Sequence, residues 1–216
     1  MDYASARRNM VESQLRPNKV TDPALLDALA AVPRELFVPQ PLRSVAYVDE
    51  DIPLGRGRFL MEPMILGRLL ELAAVRPSDA ALVVGAGLGY SAAALARVAG
   101  RVVALEGDRE FVQQAAQVLQ TLGVSNVALV EGPLAEGAPR QAPFDVILFD
   151  GAVDRVPPAV LDQLAEEGRL VAVIRTAGIG RATLMTRRAG IMASRVAFDA
   201  AVPRLPGFEP APAFVF

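Results

Sequence analysis

From Ala80 to Ala96 the chain reads AALVVGAGLGYSAAALA, an apolar run broken by Gly85, Gly87 and Gly89. A membrane-spanning helix needs ~20 predominantly apolar residues without such breaks. The run therefore divides into a buried strand over 80–84, a glycine turn, and a helix over 90–98. A strand that is apolar at every position has both faces covered. That is the habit of a parallel sheet with helices on either side.

The same alternation continues on both sides of this run. Residues 63–74 carry apolar side chains at 65, 66, 69, 70, 72 and 73, the spacing of an amphipathic helix. Short apolar strands are expected at 102–105, 127–130, 144–149 and 169–174. Helices are expected at 109–122, ended by Gly123, and at 157–164, with proline at the start. Segments 181–187 and 191–198 read as strands around a turn at Ala189-Gly190, an antiparallel hairpin on the sheet edge. Residues 1–62 differ. A helix is expected over 4–15. A second follows, capped by Thr21 with Asp22 in its first turn and ended by Pro33. A loop rich in proline and glycine then runs from 39 to 57. The expected organisation is a small helical cap with a substrate loop (1–62), followed by a Rossmann-like α/β domain (63–216) with a mostly parallel sheet.

Composition narrows the chemistry. The 216 residues include no His and no Cys, and Lys19 is the one lysine. A Ser-His-Asp triad, a thiolate nucleophile, an imidazole base and a Cys/His zinc site are all excluded. No disulfide can form. With 52% hydrophobic residues the chain can bury a large core, and a net charge of -2 gives no electrostatic case for nucleic acid. Arg7 and Arg8 are not followed by an apolar core, so neither a signal peptide nor a membrane segment is expected, and the reading is a soluble cytoplasmic protein. No metal site is expected.

A glycine turn between strand and helix brings bare backbone close to a bound nucleotide, although the same turn can exist without a ligand. A dinucleotide site wants G-x-G-x-x-G, with a small third residue. Here Tyr90 stands at that third position, and the spacing is G-x-G-x-G. Glu106 ends the second strand about 20 residues on, where a carboxylate can accept hydrogen bonds from both ribose hydroxyls. A solvated strand-end charge is the alternative.

The G-x-G-x-G spacing resembles motif I of class I S-adenosylmethionine (SAM) methyltransferases. Several further blocks, in order along the chain, resemble protein-L-isoaspartate O-methyltransferases. They are Val32-Pro33-Arg34-Glu35-Leu36-Phe37-Val38-Pro39, Ala46-Tyr47, the Asp51–Gly57 segment with Pro53-Leu54-Gly55, Pro63, and the glycine loop ending in Gly89-Tyr90. Phe144-Asp145-Val146-Ile147, the segment from Val156-Pro157 to Asp162-Gln163-Leu164, and Gly168-Arg169-Leu170-Val171 follow. The resemblance covers roughly residues 20–175. It implies S-adenosyl-L-methionine as cofactor and a protein or peptide carboxylate as methyl acceptor, with isoaspartyl residues the nominal substrate. It also implies a cofactor site at Gly85, Ala86, Gly87, Gly89, Tyr90, Glu106, Gly107, Gly132, Pro133 and Leu134. The composition suits this chemistry. A carboxylate is already ionised near neutral pH, and a sulfonium releases its methyl group without acid help, so alignment and exclusion of water suffice.

Three positions depart from the family pattern. Where the family has Gly-Gln-Thr-Ile-Ser before the proline, this chain has Gly57-Arg58-Phe59-Leu60-Met61-Glu62, and Met61 replaces the Ser that approaches the acceptor carboxylate. Met cannot donate a hydrogen bond. Arg58, Phe59, Leu60, Met61 and Glu62 are therefore acceptor-side candidates, with Arg58 or the backbone amides of Phe59 and Leu60 available to bind a carboxylate. Val83 replaces an acid that anchors the cofactor's methionine part. Pro133 replaces an Asp that pairs with the adenine amino group, leaving Leu134 to pack on the ring. Asp150 is an added carboxylate at a strand end, able either to face the cofactor's sulfonium or a basic substrate, or to cap the next loop. Besides carboxyl methylation, two outcomes suit these departures: a related methyltransferase with another acceptor, or a SAM-fold protein that acts by binding.

Overall fold

The structure, a computed structural model, describes residues 2–208. Its centre is a seven-stranded sheet in the order β5-β4-β3-β6-β7-β8-β9. β3 (Ala80–Val84), β4 (Arg101–Glu106), β5 (Val127–Glu131), β6 (Phe144–Val153) and β7 (Leu164–Thr176) are parallel. β8 (Ile179–Arg188) and β9 (Ile191–Asp199) add on antiparallel. The expected mostly parallel sheet with an antiparallel edge hairpin is thus present. Positive φ at both Ala189 and Gly190 closes that hairpin.

Side chains alternate across the strands and build two cores. On one face Val83, Ala104 and Leu148 pack with Leu66 and Leu69 of α3 (Pro63–Ala73), Leu95 of α4 (Tyr90–Leu95), Phe111 of α5 (Arg109–Thr121), and Met10, Leu15 and Leu29 of the N-terminal helices. On the other face Leu82, Val84 and Phe149 pack with Leu134, Val160 of the short α6 (Pro158–Leu161), and Leu205 and Phe208 of the C-terminal segment.

Several local expectations are corrected. α1 (Tyr3–Met10) ends earlier, and the chain continues in one π-helical turn through Leu15. α2 (Pro23–Ala31) is capped by Asp22, not Thr21; its carboxylate accepts from the amides of Ala24 (2.8 Å) and Leu25 (3.3 Å). Thr21 is unavailable because its hydroxyl donates to Glu71 at 2.7 Å. The loop expected over 39–57 contains a short helical segment at Gln40–Val45 and the first strand of a hairpin, β1 (Ile52–Gly55) with β2 (Arg58–Leu60). Its two-residue turn, Arg56-Gly57, has positive φ at both positions. β6 runs past its expected end at Phe149. The Ala152 amide donates to Pro203 O at 2.9 Å and the Leu205 amide to Ala152 O at 2.8 Å, so the C-terminal segment lies along the strand's end. The expected helix over 157–164 is reduced to α6, because Leu164 already pairs with Phe144 in β7.

Candidate active site

β3 leads to β4 on one side, while β6 enters the sheet on the other. The crevice between the carboxyl ends of β3 and β6 is therefore the switch point where open α/β sheets take ligands. The glycine loop leaves β3 there. Gly85, Gly87 and Gly89 have φ of 80°, 53° and 93°. An L side chain at these positions is strained.

Glu106 ends β4 beside the loop and is 2% exposed. One of its oxygens accepts from the amides of Gly107 (2.8 Å) and Asp108 (3.2 Å). The other accepts from the Gly87 amide at 2.7 Å and from Arg58 Nη2 at 3.0 Å. Four donors on two oxygens use all of a carboxylate's acceptor sites. Gly107, Gly132 and Leu134 cluster beyond it: the Gly132 amide donates to Glu106 O at 3.1 Å, and Leu134 is buried 3.9 Å from where a Gly107 Cβ would stand. Pro133 caps the 134–136 turn and accepts from the Glu136 amide at 3.1 Å. Gln163 braces this loop, donating to Glu136 O at 2.7 Å and accepting from the Ala138 amide at 2.8 Å.

The acceptor-side candidates divide. Arg58, expected to face the acceptor, points into the glycine cradle. Its guanidinium donates to Gly85 O as well as to Glu106, and its Nε has no partner. The reason is electrostatic: a buried guanidinium needs an anion, and Glu106 is the carboxylate it pairs with. Met61 is buried, and its carbonyl accepts from Arg34 Nη2 at 2.6 Å. Leu60 is also buried, opposite Ile52, while Phe59 is half-buried. Glu62 donates its amide to Asp51 at 2.9 Å. Partial burial, then the neighbouring carboxylates of Asp51, Asp49 and Glu50, push the Glu62 carboxyl up to about 7. Asp150 neither caps the next loop nor stands open. It is buried, accepts from the Ser91 hydroxyl at the start of α4, and is pushed up to about 6 by burial, against the pull of Ser91, Arg58 and Arg34.

Tyr90 belongs to the scaffold rather than to an open cleft. It is 1% exposed; its ring packs edge-to-face on Phe37 with centroids 5.5 Å apart, and the Arg34 guanidinium carbon lies 4.9 Å from its centroid. Arg34, whose place the sequence did not reveal, is fully buried and also donates to Ala46 O at 2.6 Å. Tyr47 donates to Glu35 and accepts from Arg7 Nε (2.9 Å) and the Arg34 amide (3.2 Å). Burial and Glu35 hold its phenol well above the usual range. The Pro33–Pro39 and Ala46-Tyr47 blocks therefore seat the cap against the glycine loop.

A family model for protein-L-isoaspartate(D-aspartate) O-methyltransferase matches residues 5–200. The chain belongs to this family. Among its relatives, the Koribacter versatilis protein named protein-L-isoaspartate O-methyltransferase is 38% identical over 188 residues, 87% of this chain and 85% of the relative. A Methylorubrum extorquens protein of the same name is 42% identical over 187 residues, 87% of this chain and 82% of the relative. A solved structure of that name superposes with a TM-score of 0.81 at 25% identity, covering 93% of this chain and 66% of the other. A Plasmodium falciparum structure, described as a beta-aspartate methyltransferase of the family in complex with S-adenosyl-L-homocysteine, has a TM-score of 0.80 at 18% identity, covering 95% and 98%. That second likeness bears on the fold.

The backbone frame suits the SAM that the family implies, but the side chains around it do not leave room. A Cβ built on Gly85 would stand 2.7 Å from Leu205 Cδ2 and 3.0 Å from Arg58 Nη2; one on Gly151 would stand 2.7 Å from Leu205 Cδ2. A Cβ on Gly87 would stand 3.3 Å from Leu54 of the hairpin. The cavity bounded by Arg58, Met61, Asp150, Gly151 and Leu205 measures about 10 Å³. That is barely enough for one water molecule; the cavity lies beside the glycine loop, which does not line it. In this arrangement Arg58 and Leu205 occupy the space over the glycine loop.

Proposed function

We propose that the chain is a SAM-dependent carboxyl O-methyltransferase acting on isoaspartyl residues of proteins or peptides. The observation that carries the reading is the glycine loop with Glu106 at the β3/β6 switch point, in a chain that belongs to the isoaspartyl methyltransferase family. The relatives' names supply the substrate class. The absence of His and Cys from the chain is no obstacle, because an ionised carboxylate needs no general base to act as nucleophile.

The chain's own residues bear on three parts of this activity. Glu106, held by three backbone amides, is fixed where a ribose would be received once Arg58 leaves it. Asp150 places a buried carboxyl beside Ser91 and near Arg58 and Arg34. Arg34 holds Met61 through its carbonyl and so sets the floor of the acceptor side. No described helix is long and apolar enough to cross a membrane.

The test is SAM-dependent methyl ester formation on an isoaspartyl peptide, with the normal aspartyl peptide as control. Esters on the first peptide alone are expected; none on either would end the isoaspartyl reading. A second reading keeps the cofactor and changes the acceptor. It is favoured by Met61, which is buried and offers no side-chain donor where the family has Ser. Turnover of other carboxylates without isoaspartyl turnover would select it.

A further inference from the structure

We infer that this chain carries a built-in plug in its cofactor site, formed by Arg58 of the β1–β2 hairpin and Leu205 of the C-terminal segment, and that cofactor binding competes with the Arg58–Glu106 ion pair. The inference rests on the SAM-dependent reading above and concerns how that site is controlled.

Two segments far apart in sequence converge on one spot. From the hairpin, Arg58 is 4% exposed and donates to Gly85 O and to Glu106. Those are two polar groups of the cradle, and with Arg58 in place Glu106 has no acceptor site left for a ribose hydroxyl. From the C-terminal segment, Leu205 is 1% exposed and occupies the space over Gly85 and Gly151 that the glycines leave bare. Its position is fixed by backbone pairing with Ala152 and by Arg204, whose Nη2 lies 2.8 Å from Asp154. The hairpin side is fixed by Arg56, whose guanidinium reaches Asp108 at 2.9 Å and also Glu110.

Leu205 is part of the core on its face of the sheet, but the polar pieces have the properties of a removable plug. Glu106 keeps three backbone amide donors when Arg58 withdraws, so the carboxylate stays satisfied. Arg58 Nε is already unpartnered, so withdrawal into water gains that group a hydrogen bond. The segment 202–205 is held to Ala152 by two backbone bonds, not by a full ladder.

The test is calorimetric titration of S-adenosyl-L-homocysteine into the wild type, Arg58→Ala, Leu205→Ala and the double variant, each checked for folding by circular dichroism. At least tenfold tighter binding to Arg58→Ala, and tighter still to the double variant, is expected. Equal affinity across all four proteins would overturn the plug and leave the cofactor reading intact. No binding by any folded protein would overturn the cofactor reading itself. If a variant fails to fold, hydrogen exchange on the wild type decides. Saturation with S-adenosyl-L-homocysteine should speed exchange of the Ala152 and Leu205 amides and of the 52–60 hairpin. Unchanged or slowed exchange there would overturn the plug.

Discussion

The glycine loop with Glu106, and the hairpin with the C-terminal segment that cover them, form two halves of one site built on different principles. The loop half is backbone. Its glycines take positive φ, and its carboxylate is held by three main-chain amides. The covering half is side chain. Arg58 and Leu205 reach in from segments tied down by the Arg56 ion pairs at the surface, the Arg204–Asp154 pair and two backbone bonds. The difference teaches that a nucleotide-binding frame can be kept whole while its occupancy is decided by residues from outside it.

The largest expected effect tests the asymmetry directly. Glu106→Ala leaves a buried guanidinium without its carboxylate and the Gly87, Gly107 and Asp108 amides without their acceptor, and should cost ~3–5 kcal/mol in denaturant unfolding. Arg58→Ala leaves Glu106 with its amides and should cost less than half as much. Equal losses would mean that the two halves are not distinguishable in this way. Next, Leu205→Ala removes a buried side chain from the covering half and should cost ~2–3 kcal/mol. A loss near zero would show that the segment is not docked in solution.

Asp150 lies at the joint between the halves and should make stability depend on pH. Its carboxyl is raised from 3.8 to about 6 in the folded state. The folded protein therefore binds the proton more tightly than the unfolded chain, and the associated stability is present at low pH and lost as pH rises through about 4 to 6. The unfolding free energy followed across that window should fall for the wild type relative to Asp150→Asn, by on the order of 3 kcal/mol. Parallel curves would contradict the burial argument. The smallest effect is expected at the hairpin tip, where Arg56 is 60% exposed in its side chain. Arg56→Ala should shift Tm by no more than ~2 °C, and the difference should vanish in about 1 M salt. A larger shift would make the tip a principal anchor of the cover.

The two halves were not equally legible in the sequence. β3, the glycine loop and Glu106 were, because a strand buried on both faces must be apolar throughout and because positive φ restricts a turn to few residues. The hairpin was hidden by Pro53, Gly55 and Gly57, which punctuate a loop and a tight β-turn alike. Thr21 and Asp22 both qualify as helix caps by type. Only the position of Glu71, reached from α3, decided which of them was free to serve. Arg34 sat inside a block that marked the family, but nothing local indicated that its guanidinium would be buried against Tyr90.

By itself the sequence determined the α/β alternation, the glycine cradle, the family, and a chemistry that must proceed without His or Cys. These follow from local rules: periodicity, backbone freedom and side-chain inventory. Only the tertiary structure decided that Arg58 faces Glu106 rather than an acceptor, and that Leu205, about 120 residues beyond the glycine loop in the chain, fills the space over Gly85. No local pattern carries that information. The direction of a buried charge is set by the counter-charge the whole fold brings to it, and the place of a leucine by the gap that distant backbone leaves open.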